Sequence, residues 1–103
     1  MYQVEVAENE DLKQTLYQVV YQVAYQVKDF DIDLLVRTFR MLQEPISKTE
    51  LMKSVGIANR NRFKRVCLDI LIQAGVATPT IPDKPNSRLQ KYVLTEKGRK
   101  LLK

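Results

Sequence analysis

Apolar residues recur along this chain with two spacings, and the switch between them marks out its elements. Leu12, Leu16, Val19, Val23 and Val27 form a seam spaced by threes and fours, which predicts a helix with Asn9 as its cap and Glu10 and Asp11 in its first turn. The same stretch contains a tetrapeptide repeat, Tyr17-Gln18-Val19-Val20, Tyr21-Gln22-Val23-Ala24, Tyr25-Gln26-Val27-Lys28, and Met1 is also followed by Tyr2-Gln3-Val4. Read as a strand, the repeat would place Tyr17, Val19, Tyr21, Val23, Tyr25 and Val27 on one face. Cap and seam agree on the helix, which is the preferred reading of this helical or extended segment.

Downstream the pattern is plainer. Asp31-Ile32-Asp33 opens a helix with Ile32, Leu35, Val36, Phe39 and Leu42 on one face, closed by Glu44-Pro45. Ser47 with Glu50 three residues on predicts a capping box, with Ile46 and Leu51 as its hydrophobic staple. That short helix carries Leu51, Met52 and Val55 inward and stops at Gly56. Asn59 then caps a third helix ending near Gln73 or Ala74 at Gly75, its apolar set being Phe63, Val66, Cys67, Ile70, Leu71 and Ala74. Val76-Ala77-Thr78 and Lys91-Tyr92-Val93-Leu94 read as two strands flanking a Pro/Asn/Ser-rich tip. With Arg88-Leu89-Gln90-Lys91 read as part of the second strand, Leu89 is expected to pack inward, and Leu89 and Tyr92 are expected to be structural. Thr95 caps a short closing helix.

The order helix, short helix, tight turn, helix, hairpin is that of a winged helix–turn–helix: mainly α with a small β-hairpin (α+β), a three-helix core plus wing. At 103 residues the domain is single. Residues 1–29 form an N-terminal repeat segment, a linker or an oligomerisation helix, and 30–103 the winged-helix domain.

Charge sharpens this picture. The net +5 conceals seven acids against Lys13 and Lys28 in residues 1–33, a net of −5, and fifteen bases against five acids in 34–103, a net of +10. A body so basic attracts polyanions. Arg60, Asn61, Arg62, Lys64 and Arg65 crowd the first turns of the third helix, opposite its apolar face. Cations at a helix start oppose its dipole at a few tenths of a kcal/mol each. Their grouping there therefore has a reason other than stability. In a helix–turn–helix this end meets the groove: Arg62 and Arg65 suit guanine, Asn61 suits adenine, and Lys64 suits phosphate. The candidate DNA-binding set is Asn59, Arg60, Asn61, Arg62, Lys64, Arg65 with Lys84, Arg88 and Lys91 of the wing, whose Pro82 and Pro85 stiffen it.

These residues carry a family resemblance. Leu51 to Leu94 resembles the C-terminal winged-helix module of RecG-related, divergent-AAA ATP-binding proteins, and a similar module ends many Fic-family proteins. Phe63 with Lys64 and Arg65 matches the helix signature. Thr80-Ile81-Pro82-Asp83-Lys84-Pro85-Asn86-Ser87-Arg88-Leu89-Gln90-Lys91-Tyr92 matches the wing. The family helix commonly has proline where this chain has Ile70, so a straighter helix is expected here. The resemblance implies a bacterial regulatory or targeting module, of the kind described as transcriptional regulators, attached to a catalytic portion that this sequence does not contain.

The chemistry left over is sparse. Histidine is absent and Cys67 is the sole cysteine, so neither an intrachain disulfide nor a metal-ligand cluster is expected, and no cofactor is expected. No Walker-type loop and no His-Pro-Phe-x-x-Gly-Asn motif of the Fic family is present. Cys67 reads as a small core residue, and Asp29, Asp31 and Asp33 read as helix-start residues. The chain is expected not to be an enzyme. Nothing in it resembles a secretory h-region and no apolar run approaches a membrane span, so a cytoplasmic location is the expectation. Double-stranded DNA is the expected partner, with a homodimer through residues 10–28 as a further possibility and no small-molecule ligand evident. The alternatives are a protein–protein module that oligomerises through the repeat and an intramolecular regulator docking on the missing catalytic part.

Overall fold

Among the described residues, six α-helices, a π-helical turn and one two-stranded antiparallel sheet surround an apolar core. The computed structural model describes the backbone of residues 2–24 and 31–102 and the side chains of 11–23 and 31–102. In chain order the elements are α1 (Tyr2–Ala24), α2 (Ile32–Met41), α3 (Lys48–Val55), α4 (Arg60–Phe63), a π-helical turn (Lys64–Leu68), α5 (Asp69–Gln73), β1 (Ala77–Pro79), β2 (Tyr92–Leu94) and α6 (Glu96–Leu101).

The helix starts follow from local hydrogen bonding. Asp31 accepts from the amides of Asp33 (2.9 Å) and Leu34 (3.4 Å), and Ser47 Oγ accepts from Glu50 (3.2 Å). Asn59 Oδ1 accepts from Arg62 (2.9 Å), and Thr95 Oγ1 from Gly98 (3.1 Å). Each satisfies a donor that the first turn leaves unpaired. Gly56 and Gly75 end their helices at φ +78° and +81°, a conformation that disfavours any Cβ.

The repeat segment is helical. Leu12, Leu16 and Val20 are buried in the same core as α2 and α5, with Val19 and Val23 packed at its edge. The helix already runs from Tyr2, so Asn9 lies inside it and does not start it. Val27, the third repeat beyond Ala24, Asp29 and the expected boundary at 29–30 lie outside the described residues. An exposed ion pair, Lys13–Asp33 at 3.1 Å, joins α1 to α2 and contributes under about 1 kcal/mol.

Because α1 covers its flank, α2 is buried on more than the expected stripe: Leu34 and Thr38 join Leu35, Val36, Phe39 and Leu42 inside. The 60–73 helix also departs from a regular α-helix. Its π turn places an extra residue in one turn, so Val66, Cys67 and Leu68 all face inward, although the 3.6-residue pattern had left Leu68 out. The unbroken helical period expected from Asn59 to Gln73 or Ala74 is therefore corrected to an α–π–α helix. Ile70 itself is buried in α5.

The hairpin pairs Ala77 with Leu94, Thr78 with Val93 and Pro79 with Tyr92. Its second strand is held from the other side as well. Ile46 and Tyr92 exchange backbone hydrogen bonds of 3.0 and 2.8 Å, and the Leu94 amide donates to the Leu42 carbonyl. The α2–α3 link thus serves as a third, one-bridge rung.

Candidate functional site

The tight connection between α3 and α4 fixes where the basic helix end lies. Gly56 and Ile57 both donate to the Met52 carbonyl, and two residues later the Asn59 cap starts α4. Asn59's side-chain oxygen is thereby engaged in capping, a structural role for one of the nine candidate residues. Arg60, Asn61, Arg62, Lys64 and Arg65 are all exposed. They do not behave alike. Arg60 donates to Thr49 Oγ1 on α3 (3.3 Å), and Lys64 pairs with Asp69 at 3.0 Å. That second pair spans five positions, a spacing that the intervening π turn brings together.

The segment 80–91 is not a simple extended wing. Three backbone turns follow one another with shared corners: Lys84 to Ile81 (3.1 Å), Ser87 to Lys84 (3.0 Å) and Gln90 to Ser87 (3.1 Å). Pro82 and Pro85 occupy the second corner of the first two turns, where their fixed φ fits. Gln90 clasps the loop from within. Its Oε1 accepts from the Ile81 amide at 2.9 Å, and its Nε2 donates to the carbonyls of Ile81 and Lys84. Gln90 is buried, whereas Leu89 is 76% exposed. The expectation that Leu89 packs inward is overturned. Consecutive turns break the alternation of a strand, and the inward position passes to a side chain that satisfies three partly buried backbone groups. Tyr92 is buried as expected.

The two basic segments meet. A cleft of about 300 Å³ lies between the start of α3, the start of α4 and the loop, lined by Ser47, Lys48, Thr49, Arg60, Pro85, Asn86, Ser87, Arg88, Gln90 and Tyr92. It brings Arg60 of the helix and Arg88 of the loop to one place. Lys84 and Lys91 are exposed on the same loop but do not line the cleft, nor do Asn61, Arg62, Lys64 or Arg65. Lys48 is the addition that sequence reasoning missed. Its amine is held below the usual lysine range, first by burial and then by the charges of Arg60 and Lys64, with Asp69 opposing. Its signal was present in the sequence: like Arg60, it is a cation at the first position of a helix. Burial raises the Tyr92 phenol above its ordinary value, against the pull of Lys64.

Cys67 is fully buried and donates to Thr38 Oγ1 at 3.2 Å, and burial pushes its thiol up to about 12. Among the described residues no acid, cysteine or histidine cluster is arranged to hold a metal ion, and no helix is long and apolar enough to cross a membrane. On α1, Tyr17 and Tyr21 stand 43% and 51% exposed with ring centroids 5.7 Å apart, beside a shallow apolar hollow that includes Ile32.

Comparison with known proteins places these features. The family described as "Filamentation induced by cAMP protein Fic-like, C-terminal domain" matches residues 31–95, which run from the Asp31 cap to the Thr95 cap. Among solved structures, the chain is similar to a Fic family protein from Desulfovibrio desulfuricans G20, with 25% identity and a TM-score of 0.57. That match covers 73% of this chain and 23% of the other, so the chain spans less than a quarter of that protein's length. No curated protein matches. These findings support the Fic half of the resemblance and give none to the RecG-related half.

Proposed function

Since the chain belongs to the family of Fic-like C-terminal domains, we propose that it is a winged-helix module that binds double-stranded DNA and forms the regulatory or targeting end of a larger Fic-type protein. The observation that carries this reading is the meeting of the two basic segments at one cleft, through Arg60 and Arg88. A groove-facing helix end and a flanking basic loop must share one side of the molecule to engage one duplex. In this reading Arg62, Arg65 and Asn61 face base edges. Lys64, Lys84, Arg88 and Lys91 follow the phosphates, and Asn59 acts by setting the helix start. The chain itself performs no catalysis, which belongs to the remainder of the parent protein.

Anisotropy of a labelled random duplex across a salt series tests it. Affinity should fall steeply with salt, and Arg60→Ala/Arg62→Ala/Arg65→Ala should reduce the log–log slope by about two to three phosphate contacts. Negligible binding at low salt, or an unchanged slope, would remove the DNA reading.

The exposed Tyr17–Tyr21 pair favours a second reading, a homodimer through α1. Light scattering should then give twice the monomer mass, reverting to the monomer in Tyr17→Ser/Tyr21→Ser.

A further inference from the structure

We propose that the cleft between α3, α4 and the 80–91 loop is a seat for one phosphate group, held by Lys48, Arg60 and Arg88. Each cation comes from a different element, and none of the three was brought to the cleft by sequence neighbours. Their neighbours in the lining are hydroxyl and amide groups, from Ser47, Thr49, Asn86 and Ser87, and no carboxylate lines the cleft among the described residues. Three like charges converging on a polar hollow repel one another, and an anion between them converts that repulsion into attraction. The Lys48 amine is held below the usual lysine range first by burial and then by Arg60, so an anion seated beside these two would be favoured.

The dimensions and construction narrow the ligand. About 300 Å³ lies at the bottom of the range for small-molecule sites, roughly 300–1,000 Å³, which suits a phosphate with little attached to it. The mixture of Arg and Lys suits a tetrahedral oxyanion: guanidinium offers paired donors and ammonium a point charge. The loop wall is preformed, because its three turns and the Gln90 clasp fix Asn86, Ser87 and Arg88 without a ligand. The phosphate can come from a nucleic-acid backbone or from a soluble phosphomonoester. The seat therefore goes beyond the DNA reading and does not depend on it.

Amide spectra of the ¹⁵N-labelled full chain separate these cases. Inorganic phosphate is titrated against chloride at matched ionic strength, followed by a 5′-mononucleotide and by a short duplex. Phosphate-specific shifts are expected at Lys48, Thr49, Ser87 and Arg88. Affinity for phosphate should fall about tenfold or more in Arg88→Ala, while Lys53→Ala, an equal change of charge on α3 outside the cleft, should leave it unchanged. Both side chains are exposed, and each variant's own spectrum reports whether it is folded. Shifts with the mononucleotide alone would support the seat with a soluble source and remove the DNA reading. Cleft shifts with the duplex would support it with a backbone source. Duplex binding that leaves the cleft unshifted would overturn the seat and keep the DNA reading. Phosphate and chloride acting alike, or Arg88→Ala binding as well as the parent, would overturn the seat outright.

Discussion

At the scale of single residues, the side chains that the fold needs most are those with a partner fixed by local geometry. Cys67 shows what burial does to a reactive group. Folding raises its pKa from 9.0 to about 12, so the folded chain keeps a proton that the unfolded chain loses above pH 9. Stability from this group is complete below pH 9 and drains away between 9 and 12, at no more than about 1.4 kcal/mol per pH unit. Urea midpoints of the parent and Cys67→Ala should therefore converge as pH rises from 8 to 11. The thiol should also ignore aromatic disulfide reagents until denaturant is added. Residue-scale reading of the sequence worked where the interaction spans three positions: Ser47, Asn59 and Thr95 cap as expected, and Asp31, read only as a helix-start residue, turns out to be the cap of α2. It failed at Leu89 and Gln90, because hydrophobicity does not reveal which backbone groups a folded-back surface loop leaves to be satisfied. It failed at Asn9 because a polar residue with capping chemistry is also tolerated inside a longer helix.

At the scale of elements, the closing helix α6 illustrates how little slack the hairpin has. Thr95 caps α6 and also donates from its hydroxyl to the Gly75 carbonyl at 2.6 Å, while Lys97 donates to the Ala74 carbonyl at 3.1 Å. These bonds draw α6 onto the end of the 60–73 helix so closely that a Cβ on Gly98 would overlap the Val76 carbonyl oxygen. Gly98→Ala should raise helix propensity by up to about 1 kcal/mol yet destabilise the protein by about 2–3 kcal/mol net, readable as a lowered urea midpoint. The existence and order of α2, α3, the 60–73 helix and the hairpin were legible, because their caps and apolar periods agree. The Ile46–Tyr92 bridge was not, since pairing between segments so far apart in sequence leaves no local trace. Nor was the π turn, which keeps helical composition and changes only the count of residues per turn.

At the scale of the whole molecule, the described part of α1 belongs to the core that supports the cleft. Leu16 is fully buried among residues of that core, so Leu16→Ala should cost about 2–5 kcal/mol in urea unfolding although it lies far from the basic surface in sequence. Of the candidate site, the two basic segments were legible as composition. Their junction was not, because it depends on where the loop folds back relative to α3. The π turn bears on this junction in one more way. It acts as a phase shifter between the core-packed α5 and the cationic α4, setting the azimuth at which the basic end points while the apolar end stays anchored. Deleting a single residue from 64–68 would let the stretch relax to a continuous α-helix. The Arg60–Phe63 end would then swing by about a quarter-turn, roughly 100°, and Arg60 would aim past the loop with which it now lines the cleft.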